Sequence, residues 1–185
     1  MGKLIAAINM TLDGFCDHTA VVADEELHQH YTDLLRGADT ILYGRITYQL
    51  MEYWRPIAET PSGDLSADEF AQVMDRVPKV VFSRTLKDVD WHSARLAHGS
   101  LQDEVAAWKQ SHHGSGDLFV GSPSLIVGLT ELGLVEEYQL CVHPVIAGSG
   151  LPLFKPIAER IALRLLRTKT LKSGAILLYY EPAKV

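Results

Sequence analysis

The segment LFVGSPSL, residues 118–125, joins a short apolar run to the start of a helix. Its first three residues predict a buried strand, because a continuous apolar run is typical of a strand covered on both faces. Gly121 ends this strand, Ser122 suits the N-cap of a helix and Pro123 suits its first position. A strand that leads directly into a helix is the repeating unit of α/β folds.

The same unit recurs earlier in the chain. Residues 4–8, 40–43 and 80–82 are apolar runs that predict three more buried strands. Asp24 is a good N-cap for a helix that follows the first of them, and Gly37 ends that helix. Strands that alternate with helices in this way predict a mainly parallel sheet with helices on both faces.

Two helix boundaries follow from local chemistry. A short helix that starts near Thr47 should end before Pro56, and residues 56–64 should form a loop. Ser66, with Glu69 three residues later, forms a capping-box pattern and predicts the start of another helix.

The C-terminal third has a different periodicity. Residues 138–142 alternate apolar and polar side chains, and residues 161–171 and 175–180 predict two strands joined by a short turn. The predicted fold class is therefore α/β, with a mainly parallel central sheet and antiparallel strands at its C-terminal edge.

Composition limits the class of protein. With 185 residues and 47% apolar side chains, the chain fits one domain over residues 1–185. A net charge of −6 argues against nucleic acid and anionic membranes as partners. Two distant cysteines, Cys16 and Cys141, do not suit a zinc ribbon or a disulfide framework. No apolar run approaches the roughly 20 residues of a membrane span, and we expect a cytoplasmic protein.

Eight histidines raise the question of a metal site. None has a second histidine four residues away, which is the spacing of a helical zinc site. His28 and His30 should lie on different sides of their helix. We therefore expect no metal.

Chemistry should be found where the predicted parallel strands end, because ligands of α/β sheets bind there. The three such positions, which we call strand exits, are Gly44, Ser83 and Gly121. At the last one, the start of the following helix offers free backbone N–H groups to a phosphate, although an ordinary capped helix explains the same residues.

The other two exits carry cations and hydroxyls. Arg45 and Thr47 follow Gly44, and the segment Ser83-Arg84-Thr85 suits a phosphate monoester. A surface arginine beside a capping threonine is the alternative for the first of these exits. Together, the three exits favour a ligand with several phosphates.

Four segments, in this order, resemble the dihydrofolate reductase superfamily. They are most similar to the reductase domain of riboflavin-pathway deaminase-reductases and their stand-alone relatives. The segments are residues 4–7 with 11–14, residues 44–48, residues 81–85, and residues 120–123 with 133–137 and 143–145. The Cys-x-x-Cys signature of the deaminase half is missing.

The resemblance implies a three-layer fold that binds NADPH across the strand ends. Ala7 would lie beside the nicotinamide, and the cofactor phosphates would meet the first exit. The adenosine 2′-phosphate would meet the second exit and the pyrophosphate the third. Pro123 departs from the glycine-rich pattern of the family and removes an N–H donor. The implied cofactor-binding residues are Ala7, Gly44, Arg45, Thr47, Ser83, Arg84, Gly121, Ser122, Pro123, Ser124 and Leu125.

The proton source for such a reduction stays open. Asp24 lies near the position of the pocket acid in folate reductases, and Asp13 belongs to a turn shared with the riboflavin-type relatives. A plain N-cap role for Asp24 and a turn role for Asp13 are the favoured explanations, so the acid is not assigned. Asp13 and Trp54 are the candidates for contact with a flat substrate; Tyr48 and Tyr53 are weaker ones.

The sequence thus predicts a reductase that transfers a hydride from NADPH to a small pteridine- or pyrimidine-like heterocycle. A non-catalytic nucleotide-binding or regulatory protein on the same scaffold is the first alternative. An oxidoreductase that uses a flavin or NADH is the second. Relatives are usually homodimers, and the strand around Leu140 with the terminal hairpin offers an interface.

Overall fold

The computed structural model describes residues 2–111, 116–154, 157 and 159–183. In this part of the chain, eight strands form one sheet in the order β4-β3-β2-β5-β1-β6-β8-β7. The strands are β1 (Leu4–Thr11), β2 (Ala38–Gly44), β3 (Lys79–Phe82), β4 (Ala94–Leu96), β5 (Asp117–Val120), β6 (Glu137–His143), β7 (Leu163–Thr170) and β8 (Ile176–Pro182).

Six helices accompany the strands in the described residues. They are α1 (Glu25–Arg36), α2 (Arg45–Met51), α3 (Trp54–Glu59), α4 (Leu65–Arg76), α5 (Leu101–Ser111) and α6 (Pro123–Glu131), and a single 3₁₀ turn spans His18–Ala20. None of these helices is both long and apolar enough to cross a bilayer.

The six strands β4, β3, β2, β5, β1 and β6 run parallel to one another. Strand β8 runs antiparallel to both β6 and β7. The predicted class, a mainly parallel sheet with antiparallel C-terminal strands, is confirmed.

Helices cover both faces of the sheet, as the side chains of β1 show, because they point alternately to one face and the other. Leu4, Ala6 and Ile8 belong to a core cluster with residues of α5 and α6. Ile5 and Ala7, on the other face, belong to a second cluster with residues of α1, α2 and α4. A strand that is apolar on both faces is therefore buried between two helical layers, as its continuous apolar run predicts.

The structure corrects two predicted boundaries. The helix predicted near Thr47 does end before Pro56, since α2 ends at Met51. The predicted loop over 56–64 is wrong in its first part, because Pro56 lies in the first turn of α3, where a missing N–H leaves no hydrogen bond unmade. The N-cap of α4 is Asp64 and not Ser66, because the Asp64 carboxylate accepts hydrogen bonds from the Ser66 and Ala67 amides. The predicted N-cap of α1, Asp24, is confirmed by its hydrogen bond from Leu27 N at 2.8 Å.

Candidate functional site

Residues at or next to the three strand exits line one cleft of ≈ 650 Å³. We call it the polar cleft because it holds two arginines and several hydroxyls, although most of its lining surface is apolar. Residues after β2, β3 and β5 line it, and the segment 151–153 forms a further wall. The lining residues are 44–47, 82–85, 122–125, Val127 and 151–153. The cleft therefore brings together the cofactor-binding residues predicted from the sequence, with the exceptions of Ala7 and Gly121.

Ser122 links two of the exits. Its hydroxyl Oγ accepts a hydrogen bond from the Gly44 amide at 2.8 Å and makes no capping bond to α6. The first amides of a helix have no partner within the helix. Because Ser122 does not cap them, the amides of Ser124 and Leu125 remain available to a ligand at the positive end of the helix dipole.

Pro123 occupies the first position of α6. It removes one of the amides that a phosphate could use, as the sequence indicates. The two that follow, from Ser124 and Leu125, lie in residues that line the cleft.

The cations of the cleft differ in how they are held. Arg45 donates a hydrogen bond to Gln49 at 3.2 Å. Arg84 is exposed and has no hydrogen bond or ion pair among the described residues. The Ser83 hydroxyl accepts bonds from the Thr85 and Leu86 amides, which fixes the turn that presents Arg84. Arg84 is therefore the cation most open to an anionic ligand.

An apolar cavity of ≈ 260 Å³ lies beside the polar cleft, and the two share Thr47. Ala7, Trp54 and Gly121 line this cavity, and the next residue, Ser122, lines the cleft. The volume is below the roughly 300–1,000 Å³ of sites for drug-sized ligands, which suits a small ring system. The other lining residues are Ile8, Asn9, His18, Val21, Ala23, Leu27, His28, Tyr31, Leu35, Tyr43, Met51, Phe70, Met74 and Phe119.

Of the three aromatic residues considered for contact with a flat substrate, Trp54 lines the apolar cavity and Tyr48 and Tyr53 do not. Its ring meets Phe70 edge-on, with centroids 4.6 Å apart. Tyr48 is buried against Trp91 instead, with ring centroids 6.2 Å apart, and Tyr53 is exposed. Tyr48 therefore packs within the helical layer, and Tyr53 faces solvent.

Gly121 has a packing role at the boundary of the two cavities. A Cβ at this position would lie 3.0 Å from Phe119 Cζ and 3.3 Å from Tyr43 Cε1. Both rings line the apolar cavity. The glycine thus leaves room for the rings that shape this cavity.

The structure places the Asp13 side chain in neither cavity. Its carboxylate accepts hydrogen bonds from the Thr11 hydroxyl at 2.6 Å and from the Ala147 and Gly148 amides at 3.1 and 2.7 Å. The Thr11 hydroxyl, followed by the two amides, lowers the pKa of Asp13 to about 2. Asp13 therefore holds the loop that leads to residues 151–153, one wall of the polar cleft, and does not face the apolar cavity.

Asp24 is likewise occupied by structural hydrogen bonds. Besides the amide of Leu27, its carboxylate accepts a bond from the Ser173 amide at 3.2 Å. Burial raises the pKa of Asp24, but the bonds from Leu27 and Ser173 outweigh it and the pKa is lowered. Its neighbour Ala23 lines the apolar cavity, whereas Asp24 does not.

His28 lines the apolar cavity, although the sequence favoured no role for it. Its Nδ1 lies 3.2 Å from the Ser66 hydroxyl on α4. This contact depends on the packing of α1 against α4, so no local motif marks it. The sequence held one signal for this position: His28 lies four residues after the N-cap, on the helix face that Leu27 and Tyr31 share.

In the described ranges, no group of three or more histidine, cysteine, aspartate or glutamate side chains has the geometry of a metal site.

Comparisons with known proteins agree on the family. The RibD C-terminal domain family matches residues 2–177. The uncharacterized protein YyaP of Bacillus subtilis is 33% identical over 182 residues, which are 97% of this chain and 94% of YyaP.

Two solved structures share the fold. A putative riboflavin biosynthesis protein from Shewanella sp. PV-4 superimposes with a TM-score of 0.74 at 18% identity, covering 98% of this chain and 99% of that one. A pyrimidine reductase-like protein from Corynebacterium diphtheriae does so with a TM-score of 0.67 at 16% identity, covering 100% and 93%. The family match and the fold confirm the resemblance drawn from the four sequence segments: the chain belongs to the RibD C-terminal domain family, with its dihydrofolate reductase-like fold.

Proposed function

We propose that this protein is an NADPH-dependent reductase that transfers a hydride to a small, flat heterocycle of the pteridine or pyrimidine type. One observation carries the proposal: a polar cleft with cations and free helix amides adjoins an apolar cavity, and Thr47 lines both. A dinucleotide has a phosphate part and a ring part, and the two cavities match these parts.

The residues of the polar cleft fit the phosphates of NADPH. The amides of Ser124 and Leu125 would hold the pyrophosphate, and Arg45 with Thr47 would approach it from the β2 exit. Arg84 has no competing partner among the described residues and would bind the adenosine 2′-phosphate. When bound, the cofactor supplies the hydride.

The apolar cavity would hold the reacting rings. Ala7, which is almost fully buried in β1, leaves space beside the sheet because its side chain is small. Trp54 and Phe70 provide flat apolar surfaces for a heterocycle. These side chains would orient the acceptor and exclude water from it.

One feature favours the alternative of a nucleotide-binding protein without catalysis. None of the described residues that line the apolar cavity carries a carboxylate, and both carboxylates considered from the sequence have structural partners. A reductase therefore needs another proton donor. A measurement of substrate turnover distinguishes a reductase from a nucleotide-binding protein without catalysis.

A thermal-shift titration with NADPH, NADH and FMN tests the proposal. A ligand that binds only the native state raises the midpoint as RT ln(1 + [L]/Kd). We expect the largest shift with NADPH. Arg84→Ala should weaken NADPH binding about tenfold or more and leave NADH binding unchanged, because a charge-assisted bond to phosphate contributes about 1.5–3 kcal/mol.

Lys87→Ala is the matched control, since Lys87 is an exposed cation of the same segment outside the cleft lining. It should leave both affinities unchanged. Equal shifts with NADPH and NADH in the unmodified protein would contradict the role of Arg84, and a larger shift with FMN would favour a flavoprotein.

We also propose that the protein acts in the cytoplasm as a homodimer. Every residue of β7 is exposed, although this edge strand carries Leu163, Leu165 and Leu166. An exposed edge strand that carries apolar side chains is a candidate for pairing with another chain, although Arg164, Arg167 and Lys169 make this strand only partly apolar. Light scattering should show a dimer, and Leu165→Arg should convert it to a monomer; a monomeric unmodified protein would contradict the proposal.

A further inference from the structure

Three side chains from two helices form a chain of hydrogen bonds that starts in the apolar cavity. His28 of α1 lines the cavity and its Nδ1 lies 3.2 Å from the Ser66 Oγ. The Ser66 hydroxyl in turn donates to Asp64 Oδ1 at 2.9 Å. The Asp64 carboxylate is the N-cap of α4, so its position is fixed by the amides of that helix.

The direction of these bonds follows from their chemistry. A hydroxyl has one proton, and a carboxylate is a stronger acceptor than a neutral imidazole. The Ser66 proton therefore goes to Asp64, and Ser66 Oγ accepts from His28. This assigns the proton of the neutral ring to Nδ1. The other ring nitrogen, Nε2, has no hydrogen-bond partner among the described residues and is left for a ligand.

We propose that His28 is the catalytic proton donor of the reductase, with Ser66 and Asp64 as positioning residues, and that the acceptor is a neutral or anionic ring with a conjugated imine or carbonyl. This inference rests on the proposed function. It supplies the acid that Asp13 and Asp24 do not provide.

Two carboxylates lie near His28. Asp24, the N-cap of its own helix, and Asp64 of α4 both lie within electrostatic range of the ring. Two aromatic rings also contact it: Trp54 meets the His28 ring edge-on with centroids 5.8 Å apart, and Phe70 stacks on it with centroids 6.0 Å apart. The amide of Ala67 and the Ser66 hydroxyl are the main causes that lower the pKa of Asp64, and the charge of His28 adds to them.

The proton transfer balances without a further reactant. When a conjugated C=N bond accepts a hydride at carbon, its π electron pair moves to nitrogen. That nitrogen takes the proton from Nε2–H, and the imidazolium becomes a neutral imidazole that keeps its Nδ1–H bond to Ser66. A proton from solvent then restores the imidazolium. With a conjugated carbonyl, the oxygen takes the proton in the same way.

The lining of the cavity sets the class of the acceptor. A cationic ring, such as a protonated 2,4-diaminopyrimidine, needs a carboxylate partner, and none of the described lining residues provides one. A protonated His28 would repel it. A neutral ring that presents an imine nitrogen or a carbonyl oxygen to Nε2 has no such penalty.

Nitrogen-15 NMR of the histidine side chains tests the chain in the protein without ligands. We expect neutral His28 to carry its proton on Nδ1, and Ser66→Ala to alter this tautomer. Asp64→Asn keeps an N-cap for α4 and should also alter the His28 signals. A proton on Nε2, or His28 signals that Ser66→Ala leaves unchanged, would overturn the proposed chain of hydrogen bonds.

Quinoxaline, a neutral ring with two imine nitrogens, tests the donor. It should shift the Nε2 signal of His28, whereas 2,4-diaminopyrimidine should not; the reverse order would overturn the acceptor class. With NADPH, reduction of quinoxaline should slow as pH rises, because the reaction takes a proton from a general acid. His28→Gln should lower kcat about 10²–10⁴-fold and remove this pH dependence. NADPH should still raise the midpoint of thermal unfolding of this variant.

His30→Gln is the control, because His30 lies on the same helix but outside the lining of the apolar cavity. It should keep the pH profile. Quinoxaline that binds beside His28 in the NADPH complex without being reduced would overturn the donor role. Failure of NADPH to bind at all would instead contradict the proposed function, and the NMR result would still decide the hydrogen-bond chain.

Discussion

The hydroxyl of Ser122 accepts a hydrogen bond from the Gly44 amide at 2.8 Å and so joins the ends of β5 and β2. These strands are neighbours in the sheet, but their exits lead into different helices, α6 and α2. A serine at an N-cap position ordinarily caps its own helix. Here the same hydroxyl holds two walls of the polar cleft together and leaves the α6 amides open.

Ser122→Ala should therefore loosen the cleft. The part-buried Gly44 amide loses its acceptor, which we expect to lower the free energy of unfolding by about 1–2 kcal/mol. NADPH binding should weaken with it. Urea unfolding and a binding titration measure both effects. Ser124→Ala is the control for stability, because Ser124 is exposed and makes no capping bond; an equal loss of stability in both variants would contradict the role of the Ser122 hydroxyl.

Gly121→Ala should damage the apolar cavity. The new Cβ would lie 3.0 Å from Phe119 Cζ, so the ring must move, at a cost of about 1–3 kcal/mol in unfolding free energy. Gly44→Ala is the matched comparison at a neighbouring exit, since its Cβ would come no closer than 3.6 Å to Ser124 Oγ. It should cost less than about 1 kcal/mol. Chemical unfolding of the two variants gives the comparison, and equal costs would argue against steric control by Phe119.

Asp13 should make stability depend on pH in acid. Its pKa is lowered to about 2 in the folded protein, from 3.8, chiefly by the Thr11 hydroxyl. The folded state thus favours the carboxylate, and this stabilisation is present above pH 3.8 and lost as pH falls through about 2. Asp13→Ala should remove this part of the acid dependence. Unfolding curves between pH 2 and 5 test it, with Asp88→Ala, an exposed aspartate, as the control.

Lys79 should make stability depend on pH in alkali. Its ammonium is buried, donates to the carbonyls of Met74 and Val77, and has its pKa lowered by burial to about 8. The unfolded chain keeps its proton up to the ordinary pKa of 10.5, so unfolding takes up a proton between pH 8 and 10.5 and stability rises there with pH.

Lys79→Met should abolish this rise, which amounts to about 3 kcal/mol at most from the difference in pKa. It should also cost about 1–3 kcal/mol near neutral pH, because the two carbonyls lose their donor. Thermal unfolding as a function of pH measures both, and Lys87→Met at an exposed position is the control. A variant that keeps the alkaline rise would assign it to other groups.

Local patterns predicted much of this architecture. Continuous apolar runs located the central strands, and the spacing of Asp24 from its apolar residues located the start of α1. The exits at Gly44 and Ser83 converge on one cleft because parallel strands end at the same edge of a sheet. Such features depend on neighbours in sequence or on sheet topology alone.

Local sequence patterns did not predict the contacts between residues that lie far apart in the chain. Asp13 bonds to Gly148, and His28 contacts Ser66 through the packing of two helices. Pro56 could begin a helix or end one, and only the packing of α3 against α4 decides between them. The proposed proton donor therefore differs from the two carboxylates considered from the sequence.

The position of β1 bears on how the chain is made. This first strand lies between β5 and β6, and it has no sheet partner until residues 117–120 have been synthesised. The apolar strand β1 thus stays unpaired on the ribosome while β2, β3 and β4 are synthesised, which is a risk for aggregation. The central strand should gain its hydrogen-exchange protection late, and expression at lower temperature or with chaperones in excess should improve the yield of soluble protein.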